Sequence, residues 1–194
     1  MNMKKHKKGE QGYIRFQHLV SSVRTVILFA LALGLYAIGY INTGTNKNLL
    51  TVVAILGILP ASRSCVNMIM FLRYKSLDKA LYESLIQAAG DESDNLLYEN
   101  VLTTTEKSYF LPAMYYRNHT IIAYCENKAN EALGNIEAHV KKSLKLDKID
   151  TTVKVFKDRD QFTERLGNML QMTPDEDDSG LRDTVYSIIK AISL

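Results

Sequence analysis

Two transmembrane helices joined in a hairpin, followed by a C-terminal cytosolic α+β domain in the order α-β-β-β-α-β-α-α, are the fold class this sequence predicts. Three observations carry that expectation. Residues 25–41 run for 17 positions without a charge, and a second apolar run starts at Leu49 after only seven residues. Beyond residue 75 the apolar residues recur instead at helical or alternating spacing. Charge divides the chain at the same place: residues 1–75 hold ten Lys and Arg against the single acid Glu10, while residues 76–194 hold fourteen against twenty. The predicted organisation is a basic amphipathic segment (1–24), a membrane hairpin (25–72) and an acidic domain (76–194).

The first run is near the minimum that crosses a hydrocarbon core of roughly 30 Å at about 1.5 Å per helical residue. A cleavable signal sequence is a poor fit, because the run begins too late, is too long, and is followed almost at once by a second. Lys4, Lys5, Lys7, Lys8, Arg15 and Arg24 precede the first span, and Arg63, Arg73, Lys75 and Lys79 follow the second, whereas the connection carries only Lys47. The basic flanks put both termini in the cytoplasm and residues 42–48 on the far side. Of these residues, Lys4, Lys5, Lys7, Lys8, Arg24, Arg63 and Arg73 are the expected interfacial set, meeting lipid headgroups. Arg63 is expected about 7.5 Å inside the boundary of a helix of about 20 residues, with its stem snorkelling outward. Pro60 is positioned to kink that helix, or the helix continues past Leu72 as a stalk.

Ala30 and Gly34 in the first span, and Gly57 and Ala61 in the second, lie four apart and allow close backbone approach. They predict packing within the hairpin or self-association. Ahead of the first span, Tyr13, Ile14, Phe16, Leu19, Val20 and Val23 alternate with polar residues in a pattern suited to a helix lying flat at the interface.

The domain opens with a helix over 76–89, with Ser76 as its cap, Leu77, Leu81, Leu85 and Ile86 as its stripe, and Gly90 as its stop. Val, Thr, Tyr, Phe and Ile then dominate residues 97–125, predicting strands over 98–104, 109–116 and 120–125 in an antiparallel meander. Pro112 argues for a bulge or an edge position in the middle strand. Ala129, Ala132, Leu133, Ile136, Val140 and Leu144 repeat at three and four, giving a helix. Thr151, Val153 and Val155 give a strand. Two helices close the chain, the first capped by Asp160.

The order from residue 76 to 156 resembles the restriction-endonuclease-like fold, and the sequence element that carries the likeness is Glu126-Asn127-Lys128 after the apolar strand 121–125. The resemblance implies that Glu126 helps hold a divalent cation and that Lys128 orients a water or steadies developing charge. It also requires an acid on the preceding strand, which has none; Glu106 lies just before that strand and Glu99 on the one earlier. No other constellation points to chemistry. The four histidines have no metal-ligand spacing, Cys65 and Cys125 are far apart, and the acidic stretch 175–180 has Tyr186 where a calcium loop needs its bidentate Glu. No cofactor or metal is expected, and an acidic domain argues against a nucleic-acid partner. The favoured expectation is an integral membrane protein that presents an interaction domain at the inner leaflet, with lipid and a protein partner, or further copies of itself, as its contacts. A tethered metal-dependent nuclease-like domain and a small oligomeric membrane assembly are the alternatives.

Overall fold

The structure, a computed structural model, describes residues 6–104, 107–126 and 129–194. Two compact units make up the chain, one formed by Met1–Tyr13 with Ser76–Leu194 and the other by Ile14–Lys75. In sequence, the second unit is an insertion in the first.

Ile14–Lys75 is built from two helices, α1 (Tyr13–Thr43) and α2 (Leu49–Leu72). Both are long and apolar enough to cross a membrane. Gly44 supplies the left-handed residue after α1 at φ +65°, and the Asn48 side chain caps α2 by accepting from the Thr51 N–H at 2.8 Å. A Cβ at Gly39 would stand 2.7 Å from Asn48 Oδ1, so this close turn depends on glycine. Lower down, Thr25 Oγ1 donates to Ser64 Oγ across the pair at 2.9 Å. Ala32, Ala54 and Ala61 are buried, and a Cβ at Gly57 would lie 3.7 Å from that of Ala32. Small residues therefore line the inside, while large apolar ones such as Val26, Leu33 and Leu59 face outward.

One detail differs from the sequence expectation. The segment expected to lie flat ahead of the span forms the first turns of α1 itself, because nothing between Tyr13 and Thr43 interrupts the hydrogen-bond ladder. α2 runs through Pro60 to Leu72, the expected end of the hairpin, and not past it as a stalk.

The other unit is a four-stranded sheet in the order β1-β2-β3-β4, with helices on both faces. After α3 (Lys79–Ala89) and a 3-10 turn (Gly90–Asn95) come β1 (Leu97–Thr103), β2 (Ser108–Arg117) and β3 (Thr120–Tyr124). They pair antiparallel as the expected meander. Next, α4 (Asn130–Leu146) crosses over to β4 (Thr152–Phe156), which pairs parallel to β3. Finally α5 (Arg159–Leu170) and α6 (Asp178–Ala191) close the order. One apolar layer joins α4 and α6 to Leu102, Leu111, Tyr116, Ile121 and Val153; the other joins α3 and α5 to Tyr98, Tyr115 and Ile122 around Phe162. Because both faces are covered, β2 and β3 are buried almost throughout rather than alternately.

Pro112 sits in the central strand β2 and not at an edge. Neither pairing register includes it, and the residue facing it, Glu99, takes φ +52°. The missing N–H is accommodated by distortion of the neighbouring strand. The expected caps also differ: Ser76 bonds the Glu99 carboxylate, Asp160 lies in the first turn of α5, and neither Asp78 nor Asp158 at the actual cap positions makes a side-chain cap bond.

Candidate functional site

Among the described residues, those singled out from sequence do not converge. Glu126 is exposed in the turn after β3. Glu106 and Lys128 lie outside the described residues, as do Lys4 and Lys5. Glu99 is buried and accepts hydrogen bonds from Ser76 Oγ and, at 2.8 Å, from the Leu77 N–H, which anchors the approach to α3. Among the described residues no three His, Cys, Asp or Glu side chains group as metal ligands would. In the hairpin, Ala61 is buried and Gly57 approaches Ala32, but Ala30 is exposed and a Cβ at Gly34 would meet nothing within 4 Å. Arg24, Arg63 and Arg73 are exposed, as is Lys7.

Lys8 is bound to the sheet unit. Its Nζ donates to the carbonyls of Lys190 at 3.2 Å and Ser193 at 2.9 Å, placing a cation at the end of α6, where carbonyls lack helical partners. Burial pushes its pKa below the usual lysine range. The next residue, Gly9, stands at φ +90°, and its carbonyl accepts from the Tyr98 N–H at 2.8 Å. A Cβ there would come within 2.6 Å of Leu97 Cδ2, so glycine alone lets the backbone approach β1 this closely. Further along β1, the Thr103 N–H donates to Ile192 O at 3.1 Å and the Leu194 N–H to Val101 O at 2.9 Å. The outer edge of β1 is thus covered by segments from both ends of the domain sequence. Nothing in the alternation or charge of residues 6–13 announced this; the glycine pair Gly9 and Gly12, both at positive φ, was the available signal.

At the opposite edge, β4 is short and guarded differently. The Thr152 N–H donates to His119 O at 2.8 Å, so in this parallel pair the even-numbered amides face β3 and those of Val153 and Val155 point outward. Glu137 Oε1 accepts from the Val155 N–H at 2.8 Å and lies 3.9 Å from Lys154 Nζ. A side chain of α4 therefore occupies a place that another strand's carbonyl would take. Alongside runs a cleft of about 350 Å³, lined by Leu133, Gly134 and Glu137 of α4, Lys154 and Phe156 of β4, and Gln161 of α5.

A second cleft, of about 320 Å³, is lined by Arg117, Arg182, Glu92 and Asp178. Its charged groups tie loops together. Arg117, 8% exposed, donates from Nη1 to Leu170 O at 3.2 Å and Met169 O at 3.4 Å, closing the last turn of α5. Asn118, in the left-handed region at φ +45°, donates its N–H to Asp178 Oδ1 at 2.7 Å and its amide to Thr173 O at 2.8 Å. Nearby, the Tyr186 hydroxyl donates to Asn95 O at 2.5 Å and accepts from the Tyr116 N–H at 3.1 Å, and burial raises its pKa far above the usual tyrosine value. This cleft is a structural clasp between the β2–β3 turn and the α5–α6 connection. The open edge of β4 is the better candidate for recognition. No family model, curated protein or solved structure matches this chain.

Proposed function

We propose that this protein is a membrane-anchored interaction module, in which the hairpin spans a bilayer and the α+β domain, on the cytoplasmic side, binds an extended segment of a partner protein along β4. The asymmetry of the sheet edges carries the reading. Residues 8–9 and 192–194 close the β1 edge with backbone and lysine hydrogen bonds, whereas β4 keeps an outward amide at Val153 and covers that of Val155 with one side-chain carboxylate, that of Glu137. Adding a strand satisfies such groups, and the adjoining cleft would take the incoming side chains.

The anchoring rests on the outward apolar surface of α1 and α2, which has no aqueous rationale. Residues 8–9 and 76–194 belong to one folded unit, which supports an even number of crossings and flanks on the same side; the lysines and arginines of those flanks favour the cytoplasm.

A photoreactive benzoylphenylalanine placed at Thr152 of the full chain, in its native membrane, tests the edge. Adducts to a second protein are expected there and not from the same probe at Lys107, beside the β1–β2 turn. Val153→Pro, which deletes the outward amide, should remove them, and Glu137→Ala, which uncovers Val155, should preserve or increase them. No adduct at Thr152, or equal adducts at Lys107, would overturn the proposal.

A further inference from the structure

We propose that Arg24 and Arg63 together form a two-armed site for the phosphate of an anionic phospholipid headgroup; this rests on the hairpin lying in a bilayer. The Thr25–Ser64 hydrogen bond fixes the level at which the helices face each other. Both helices are right-handed at 100° per residue and run antiparallel, so one step back in sequence from Thr25 and from Ser64 turns to the same side of the hairpin. Arg24 and Arg63 therefore stand on one face, within about 3 Å in height and about 10 Å apart across the pair. Asn67 lies one turn beyond Arg63 on that face, and all three are exposed.

The anion must come from outside the hairpin. No Asp or Glu occurs between Glu10 and Asp78. None of the ion pairs among the described residues involves either arginine. Height then selects the ligand. From Leu49 to Arg63 the helix rises about 21 Å, so the guanidinium stems must extend outward to clear a hydrocarbon core of roughly 30 Å, which brings their heads to the phosphate layer. A planar guanidinium pairs with phosphate oxygens two at a time, and two of them on one face bracket a single phosphate.

The test uses the full chain reconstituted in vesicles of equal parts phosphatidylcholine and phosphatidylglycerol, gently extracted and weighed by native mass spectrometry with its retained lipid. Phosphatidylglycerol should be retained in preference to phosphatidylcholine. Arg24→Gln and Arg63→Gln should each reduce that preference roughly fivefold, the lysine substitutions less, and Lys47→Gln, at the far end of the hairpin, should leave it unchanged. Equal retention of the two lipids, wild-type preference in the Arg24→Gln, Arg63→Gln double variant, or displacement of the lipid by excess inorganic phosphate would overturn the site. Failure of the chain to enter the vesicles would instead overturn the membrane reading beneath it.

Discussion

In the hairpin, Val26, Leu31, Leu33 and Leu59 keep between 60% and 68% of their surface exposed, and between Ser21 and Ser64 the buried positions go to glycine, alanine, serine and threonine; in the sheet unit, Leu102, Leu111, Ile121 and Tyr116 have none exposed, and polar residues fill the outside. Among the described residues, every exposed large hydrophobic side chain except Leu146 and Met172 lies between Leu19 and Leu72. The two units share a similar vocabulary of residues and turn it in opposite directions. Water is the solvent that organises the sheet unit: burying a large apolar side chain there contributes about 1.5–3 kcal/mol. That term gives nothing to a pair of helices with small residues inside and leucines outside. What its described residues do show is close approach at Gly57 and Ala32 and the Thr25–Ser64 hydroxyl bond, contacts of the kind that pair helices in lipid.

Substitutions at matched leucines break the comparison most sharply. Leu111→Ala empties a fully enclosed position and should cost about 2–5 kcal/mol in thermal or denaturant unfolding of the domain. Leu33→Arg, on the outward face, should lower insertion of the hairpin by about 3 kcal/mol in a translocation assay, whereas a residue so exposed to water would tolerate the change within about 0.5 kcal/mol. If Leu33→Arg leaves insertion unaltered, the outward face is not a lipid face.

Smaller effects sharpen each side. Tyr186→Phe leaves Asn95 O and the Tyr116 N–H without their partner and should cost about 1–3 kcal/mol at neutral pH. Because burial raises the folded pKa of Tyr186 above its reference value of 10.0, its contribution is fully present below about pH 10 and is lost as pH rises through the folded value. Unfolding curves collected above pH 10 should therefore show the wild type losing more stability than Tyr186→Phe. Thr25→Val removes the bond to Ser64 across the pair, together with a local bond to Ser21 O within α1, and should weaken helix pairing by about 0.6 kcal/mol, measurable as a modest rise in sensitivity to denaturing detergent.

Much of this architecture was legible because local signals agreed with tertiary ones. The β-branched and aromatic stretch from Leu97 and the three-and-four spacing through Val140 fixed the element order, and the observed strand ends differ by about one residue from those expected. The parallel pairing of β4 was not read, since strand direction follows from where the α4 crossover packs and not from the composition of β4. Pro112 misled in part: a central strand tolerates it only because Glu99, opposite, leaves regular geometry. The cap candidates Ser76 and Asp160 failed for a related reason, as short polar residues near helix starts are common and the bond depends on the incoming chain's angle. The candidate edge was the least visible. It stands out only because Lys8, Gly9 and Ile192 close the other side, through contacts spanning 89 residues or more that no local pattern encodes. Similarly, Arg24 and Arg63 read as separate flanking charges until the Thr25–Ser64 bond set them at one level.

The central claim is that lipid is the solvent of Ile14–Lys75. Alkaline carbonate washing of cell membranes followed by ultracentrifugation addresses it directly. The full chain is predicted to remain in the membrane pellet and to leave it only with detergent; recovery in the aqueous supernatant would contradict the account.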